Sequence, residues 1–365
     1  MIGRTLCLSV ATLLAGFVAL PASAQEKVVN VYNWSDYIDE SILEDFTKET
    51  GIKVVYDVFD SNEILETKLL AGGSGYDVVV PTGSFLARQI QAGVFQKLDK
   101  SKLPNLSNMW DVVSERTAKY DPGNDYSINY MWGTVGLGYN TKKVQDALGI
   151  DKIDSWDVFF NPDKLAKLAD CGVYVLDSPT DVFPTEFRYL GIDPETTSAD
   201  DFAKAEEVMM KIRPFIRKFH SSEYINALAN GDICLAVGWS GDVFQARDRA
   251  AEADQGVVVD YVIPKEGAEM WFDQMAIPAD AKNVDEAHEF LNYIMKPEVA
   301  AKATNYVYFA NGNKASQEFI EKEIMDDPAI YPTEEALQKL FTIQPYDPRT
   351  QRTVTRLWTK VVTGQ

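Results

Sequence analysis

The strongest constraint on the fold is an alternation of strand and helix signals along residues 27–91. Lys27–Tyr32 centres on VVNVY, whose β-branched residues favour an extended strand. Glu40–Glu49 carries apolar residues at 42, 43 and 46, a helical spacing, and Gly51 stops that helix. Ile52–Tyr56 predicts a second strand. Asp60 and Glu63 have capping-box spacing before a helix over Ile64–Ala71, which Gly72 and Gly73 end. Asp77–Val80 predicts a third strand closed by Pro81, and a helix follows near Ser84–Gln91. Such βαβαβ order specifies an α/β fold with a mostly parallel sheet and helices on both faces.

A second region starts near Gly133–Tyr139. It carries helix patterns at Pro162–Leu168, Ala199–Ile212 and Ser222–Ala229, and strand patterns at Val173–Leu176 and Ile233–Val237. Strands at Val257–Val262 and Gln274–Ile277 precede a helix over Val284–Met295. Ser316–Val362 reads as helical and loop-rich, with helices at Glu318–Met325 and Glu334–Lys339. There is no internal repeat and no low-complexity linker. Two domains, if present, are therefore joined by short strand-like crossovers. The crevice between such lobes, at the carboxyl ends of strands, is the natural ligand site.

The 365 residues include 55 acidic and 35 basic side chains, a net charge of −20. That excess speaks against nucleic acid or an anionic membrane as partner, because phosphate recognition needs clustered Lys and Arg. It suits a cationic ligand, although solubility alone also accounts for it. Met1–Ala24 has Arg4, an apolar run from Leu6 to Leu20 and a Pro-Ala-Ser-Ala end. This is the pattern of a cleaved secretory signal, too short for a membrane span. The mature chain is expected to begin at Gln25, to be exported, and to insert in no membrane. Cys7 leaves with the signal. Cys171 and Cys234 then remain, and two cysteines in an exported chain favour a disulfide. A catalytic or metal-binding role is the rival, weakened by the lack of nearby Cys or His at ligand spacing. No metal site and no cofactor are expected.

Enzyme motifs are poor. Gly133, Gly136 and Gly138 have the wrong spacing for a dinucleotide loop, and no Walker A sequence occurs. Gly238-Trp239-Ser240-Gly241 lacks one residue of a nucleophile elbow. A triad would need His220 or His288, the only histidines, and His288 falls inside an amphipathic helix. Paired acids could serve a glycosidase, but acids are plentiful throughout. A secreted hydrolase remains the alternative from another class.

The informative feature is aromatics interleaved with acids beside strand ends. Tyr32-Asn33-Trp34-Ser35-Asp36-Tyr37 follows the first strand. Trp239-Ser240-Gly241-Asp242 follows Ile233–Val237, and Trp271-Phe272-Asp273 lies just before Gln274–Ile277. Asp177-Ser178-Pro179-Thr180-Asp181 follows Val173–Leu176. Core packing explains any one of these aromatics; four such loops are harder to place inside. Aromatic faces attract an organic cation, and a desolvated ammonium needs carboxylate acceptors.

The segments YNWSDYI (32–38), YDVVVPTGSFL (76–86), MWGTVGLGYN (131–140), GDICLAVGWSGD (231–242) and YFANGNKAS (308–316) resemble the periplasmic polyamine-binding proteins of ABC importers. Within them the chain is similar to the putrescine/spermidine binders, over the full mature length. The resemblance implies a type II periplasmic binding fold. It has two α/β lobes, each a mixed sheet flanked by helices, joined by a two-strand hinge. The implied division is 26–134 plus 257–313 for lobe 1 and 135–256 plus 314–365 for lobe 2. Crossovers would lie near Thr134–Tyr139 and Gln255–Val259.

The resemblance also implies the ligand contacts. Trp34 and Tyr37 would form one aromatic wall with Ser35 and Asp36 at its polar edge. Ser84 would add a hydroxyl or backbone contact, and Trp239 would stack from the other lobe. Asp242 and Asp273 would clasp one ammonium, Asp181 would sit toward the other, and Trp271 would close over the chain. Phe309, with Tyr308 as alternative, would complete the wall; adjacent strand residues face opposite sides, so one of the two lines the slot. Two departures from the family's putrescine binders, Asp181 for Glu and Trp271 for Phe, change the slot's length and width. They turn the expectation toward spermidine, with putrescine, another cationic amine or iron as alternatives. The implied role is a monomeric periplasmic receptor that delivers its amine to an inner-membrane ABC permease.

Overall fold

The computed structural model describes residues 26–365; the expected signal at Met1–Ala24 lies outside the described residues. Ten strands form one mixed sheet: β1 (Val28–Trp34), β2 (Lys53–Phe59), β3 (Val78–Val79), β4 (Ser127–Asn140), β5 (Val173–Val175), β6 (Lys218–Phe219), β7 (Leu235–Trp239), β8 (Val259–Val262), β9 (Met270–Ala276) and β10 (Ala310–Asn311). The order is β2-β1-β3-β9-β4-β7-β5-β6, with β8 and β10 also on β4. The flanks are parallel, as helical crossovers require. At the centre β9, β4 and β7 pair antiparallel, so the sheet is mixed, as the resemblance implied.

One strand organises the molecule. β4 is buried along all fourteen residues, and only its second half was legible as a strand. Its first half, through Thr134, pairs with β9 and β10. From Val135 onward it pairs with β7 and β8. β8 therefore sits with β7 on the second half of β4, beyond the expected crossover at Gln255–Val259. The C-terminal part also divides: Lys314–Phe319 packs on the Pro297–Val307 helix, whereas the Pro348–Thr363 helix packs on Pro179–Tyr189 and Ala199–Ile212.

Local signals explain most helix bounds. Asp39 caps Glu40–Thr50 by accepting from the Ser41 amide at 2.9 Å, and Gly51 ends it with φ +72°. At the next helix, Asn62–Ala71, the cap is Ser61 rather than the expected Asp60: its Oγ accepts from the Ile64 amide at 3.3 Å. Asp60 is instead turned toward Ser35, accepting its hydroxyl at 3.1 Å.

Cys171 and Cys234 are joined, 63 residues apart in sequence. Cys234 is buried just ahead of β7, and Cys171 precedes β5, two strands that pair side by side. Closing a loop of roughly 64 residues contributes about 4 kcal/mol in the chain-entropy model, often less in practice. Replacing both by alanine is expected to lower the unfolding free energy by about 2–4 kcal/mol in urea titrations. An unchanged midpoint would contradict this.

Candidate functional site

The cleft forms where β1 and β3 on one side meet β7 on the other, across β4 and β9. Its volume is about 590 Å³, counting the part open to solvent. Among the described residues, five aromatic side chains and five carboxylates line it, and no Lys, Arg or His does. That composition fits an organic cation.

Each wall has a structural origin. Trp34 ends β1, held by its indole N–H donating to Val80 O at 2.9 Å. Trp239 ends β7 and meets Trp34 edge-on, with ring centroids 5.7 Å apart. Tyr37, Phe309 and Trp271 form a second run: Phe309 lies 5.4 Å from Tyr37 and 5.1 Å from Trp271, edge to face in both contacts. Two glycines make room for it. A Cβ at Gly133 would lie 2.6 Å from the Trp271 ring, and one at Gly241 would lie 2.5 Å from Phe309.

Trp271 and Asp273 lie inside β9, not in a loop before it. Both face the cleft, while Phe272 between them is fully buried against Trp132 on the other face. Asp242 sits in the first turn of the Ser240–Ala253 helix, and Asp181 in the first turn of Pro179–Tyr189. Ser84 occupies the first turn of Gly83–Gln91. The acid and aromatic groups thus come from strand ends, one strand interior and helix starts.

Among the described residues, the donors that brace Asp273 and Asp242 are neutral hydroxyls. Asp273 accepts from Thr82 Oγ1 at 2.7 Å and from Tyr37 OH at 2.9 Å. Asp242 accepts from Tyr224 OH at 2.6 Å, and that phenol also takes the Trp239 amide at 3.1 Å. Burial pushes the carboxyls of Asp242 and Asp273 up to about 7 despite these bonds. Burial likewise raises Asp181 to about 6, against hydrogen bonds from Ser178 and Trp239 that favour its ionised form. Glu269 is 3% exposed and held well above the usual range, by burial and then by the charge of Asp181. Burial without a cationic partner favours the neutral acid. A bound cation would supply the missing partner.

Ten of the expected contacts line the cleft: Trp34, Ser35, Tyr37, Ser84, Asp181, Trp239, Asp242, Trp271, Asp273 and Phe309. Asp36 does not. It takes a left-handed φ of +52°, turns outward and pairs with Arg249 at 2.7 Å. Tyr308 does not either; it ends the Pro297–Val307 helix at φ +59° and lies beside Asp248. Phe309 is the residue that faces inward. Sequence reasoning missed Asp60, Asn62, Thr82 and Glu269, among others. Asn62 and Thr82 hold each other, Nδ2 to Oγ1 at 2.9 Å, and so brace Asp273. Glu269 had a signal: it stands two residues before Trp271 and four before Asp273, all of one strand parity.

Fold and cleft define a type II periplasmic binding protein, a solute receptor rather than an enzyme. The chain belongs to the family of bacterial extracellular solute-binding proteins, which it matches over residues 41–333. It is 54% identical over its full length to the putrescine-binding periplasmic protein SpuD of Pseudomonas aeruginosa strain UCBPP-PA14, covering 99% of that protein. It is 53% identical to the putrescine-binding periplasmic protein PotF of Escherichia coli K12, over 94% of this chain and 93% of that one. The spermidine/putrescine ABC transporter substrate-binding protein PotD of Streptococcus pneumoniae strain Canada MDR_19A superposes with a TM-score of 0.75 at 28% identity, over 93% and 99% of the chains. The protein is thus a periplasmic receptor. Among the described residues no helix is long and apolar enough to cross a membrane, and no cluster of three or more His, Cys, Asp or Glu is placed to hold a metal ion.

Proposed function

We propose that this receptor binds a polyamine, with putrescine preferred, and delivers it to an ABC permease. The observation that carries this is a cleft lined by five carboxylates and five aromatics with no basic side chain. Aromatic faces would hold the methylenes and ammonium groups, each contact contributing about 0.5–2 kcal/mol. Asp242 and Asp273 would clasp one ammonium and Asp181 would receive the other.

Putrescine is preferred to the spermidine expected from Asp181 and Trp271. The charge of Asp181 raises Asp273 and Glu269, and that of Asp273 raises Asp242. These acids share one electrostatic environment, which a bound polycation would relieve. The relatives at 54% and 53% identity are named for putrescine, while the structure named for both amines is 28% identical. One methylene in a slot is typically worth only about 1–3 kcal/mol, too little for Asp181 alone to decide the matter.

We infer that the halves of β4 belong to two lobes, with β8 and the Pro348–Thr363 helix in the second. The ligand touches both and so favours the closed state. Thermal unfolding against putrescine, cadaverine, spermidine and spermine tests the reading. Ligand at 100 times Kd adds about 2.7 kcal/mol. The largest shift is expected with putrescine. A largest shift with spermidine would restore the other preference, and no shift with any amine would remove the polyamine reading.

A further inference from the structure

Glu269 is a second deep carboxylate of the cleft that the expected contacts do not include. It lies at the junction of three segments. Its carbonyl accepts the Val135 amide at 3.0 Å, and its backbone bridges to Phe341, whose carbonyl takes the Met270 amide at 2.7 Å. The side chain cannot wander far from such a backbone. Yet Glu269 Oε2 is buried and has no hydrogen-bond partner among the described residues. The indole N–H of Trp271, beside it on the same cleft wall, is also buried and unpartnered. Asp181, Tyr120 and Tyr346 are titratable groups that act on or are acted on by Glu269. The guanidiniums beside adjoining residues are turned elsewhere: Arg116 donates to Met270 Sδ at 3.2 Å and Arg188 to the Glu266 carbonyl at 2.6 Å.

Residues 269, 271 and 273 all line the cleft, so the wall presents carboxylate, indole, carboxylate in turn. Four residues of extended chain span about 13 Å. An extended four-carbon diamine separates its nitrogens by about 6 Å. Adding an ammonium–carboxylate contact of about 2.8 Å at each end gives about 12 Å. The backbone spacing of the two acids is thus of the same order as the reach of the bound diamine.

We propose that Glu269 is a further ligand-binding residue, which shares with Asp181 the second ammonium of a linear diamine whose first ammonium lies between Asp242 and Asp273. This rests on the polyamine reading above. It places two acids at each end of the ligand and Trp271 under its methylenes.

The test is calorimetric titration of the full mature chain and its Glu269→Gln variant with putrescine, in two buffers of different ionisation enthalpy. The variant is isosteric, and circular dichroism checks that it folds. Expected are at least a tenfold loss of putrescine affinity and fewer protons released on binding, because the ammonium no longer ionises Glu269. Unchanged affinity would overturn the assignment while leaving the polyamine reading intact. Weaker binding with the same proton count would also overturn it, leaving Glu269 to support the Trp271 strand. If the unaltered chain binds no amine, the polyamine reading fails first and this assignment with it.

Discussion

Replacing Asp242 with asparagine is expected to weaken putrescine binding by at least tenfold and to stabilise the empty protein. Removing one partner of a buried charge pair costs about 2–5 kcal/mol, which makes tenfold a lower bound. Asparagine keeps the shape and can still accept from Tyr224 through its carbonyl oxygen. It removes a carboxylate whose ionisation burial opposes, with a folded-state value of about 7. Against an ordinary value near 4, the ionised form costs the empty chain about 4 kcal/mol above pH 7. The variant should therefore unfold at higher temperature than the parent without ligand, and at lower temperature with saturating putrescine. Unchanged affinity would refute the clasp. Lower stability of the empty variant would show that the Tyr224 bond needs the charge.

Acidification from pH 8 to about 5 is expected to stabilise the empty receptor through its cleft and to loosen its hold on the amine. Asp242 and Asp273 titrate at about 7 in the folded chain and Asp181 at about 6. Unfolded aspartate titrates near 3.9. Between these values the folded empty chain binds more protons than the unfolded chain, so its stability falls as pH rises. That cost is complete above about pH 7 and vanishes below about pH 4. The bound dication requires the ionised acids, so the same protons compete with it. Each carboxylate that must ionise lowers affinity by up to about tenfold per pH unit below its own value. The thermal shift produced by putrescine should thus grow from about pH 5 to 7 and level off. Affinity that stays constant across this range would show that the acids are already ionised in the empty cleft.

These results would test a site that was partly readable from residue order. Trp34, Trp239 and Asp242 stand in segments whose resemblance to a known family located them, and the cleft gathers all three. Asp36 stands between Ser35 and Tyr37, both of which line the cleft, yet does not line it itself. A left-handed turn rotates it away to Arg249, and nothing in the identity of Asp36 announces that torsion. Trp271 lies inside β9, whose start the acid Asp273 disguises in the sequence. The Pro348–Thr363 helix carries its signals in plain view. Asp347 caps it, Pro348 starts it, and Val354, Leu357, Trp358 and Val361 form its buried face.

Local chemistry by itself determined the helices of the first ninety residues, the α/β class and the joined cysteines. These depend on propensity, caps, periodicity and an exported setting, all of which act over short stretches or on residue type. Tertiary structure alone decided the antiparallel centre of the sheet, since β4 meets β9 across more than a hundred residues and no local pattern encodes that pairing. It also decided which acids share the cleft. Asp181, Asp242, Glu269 and Asp273 acquire their common character only when burial removes water from all of them at once. Desolvation is a property of the surroundings, and a sequence lists only the residues.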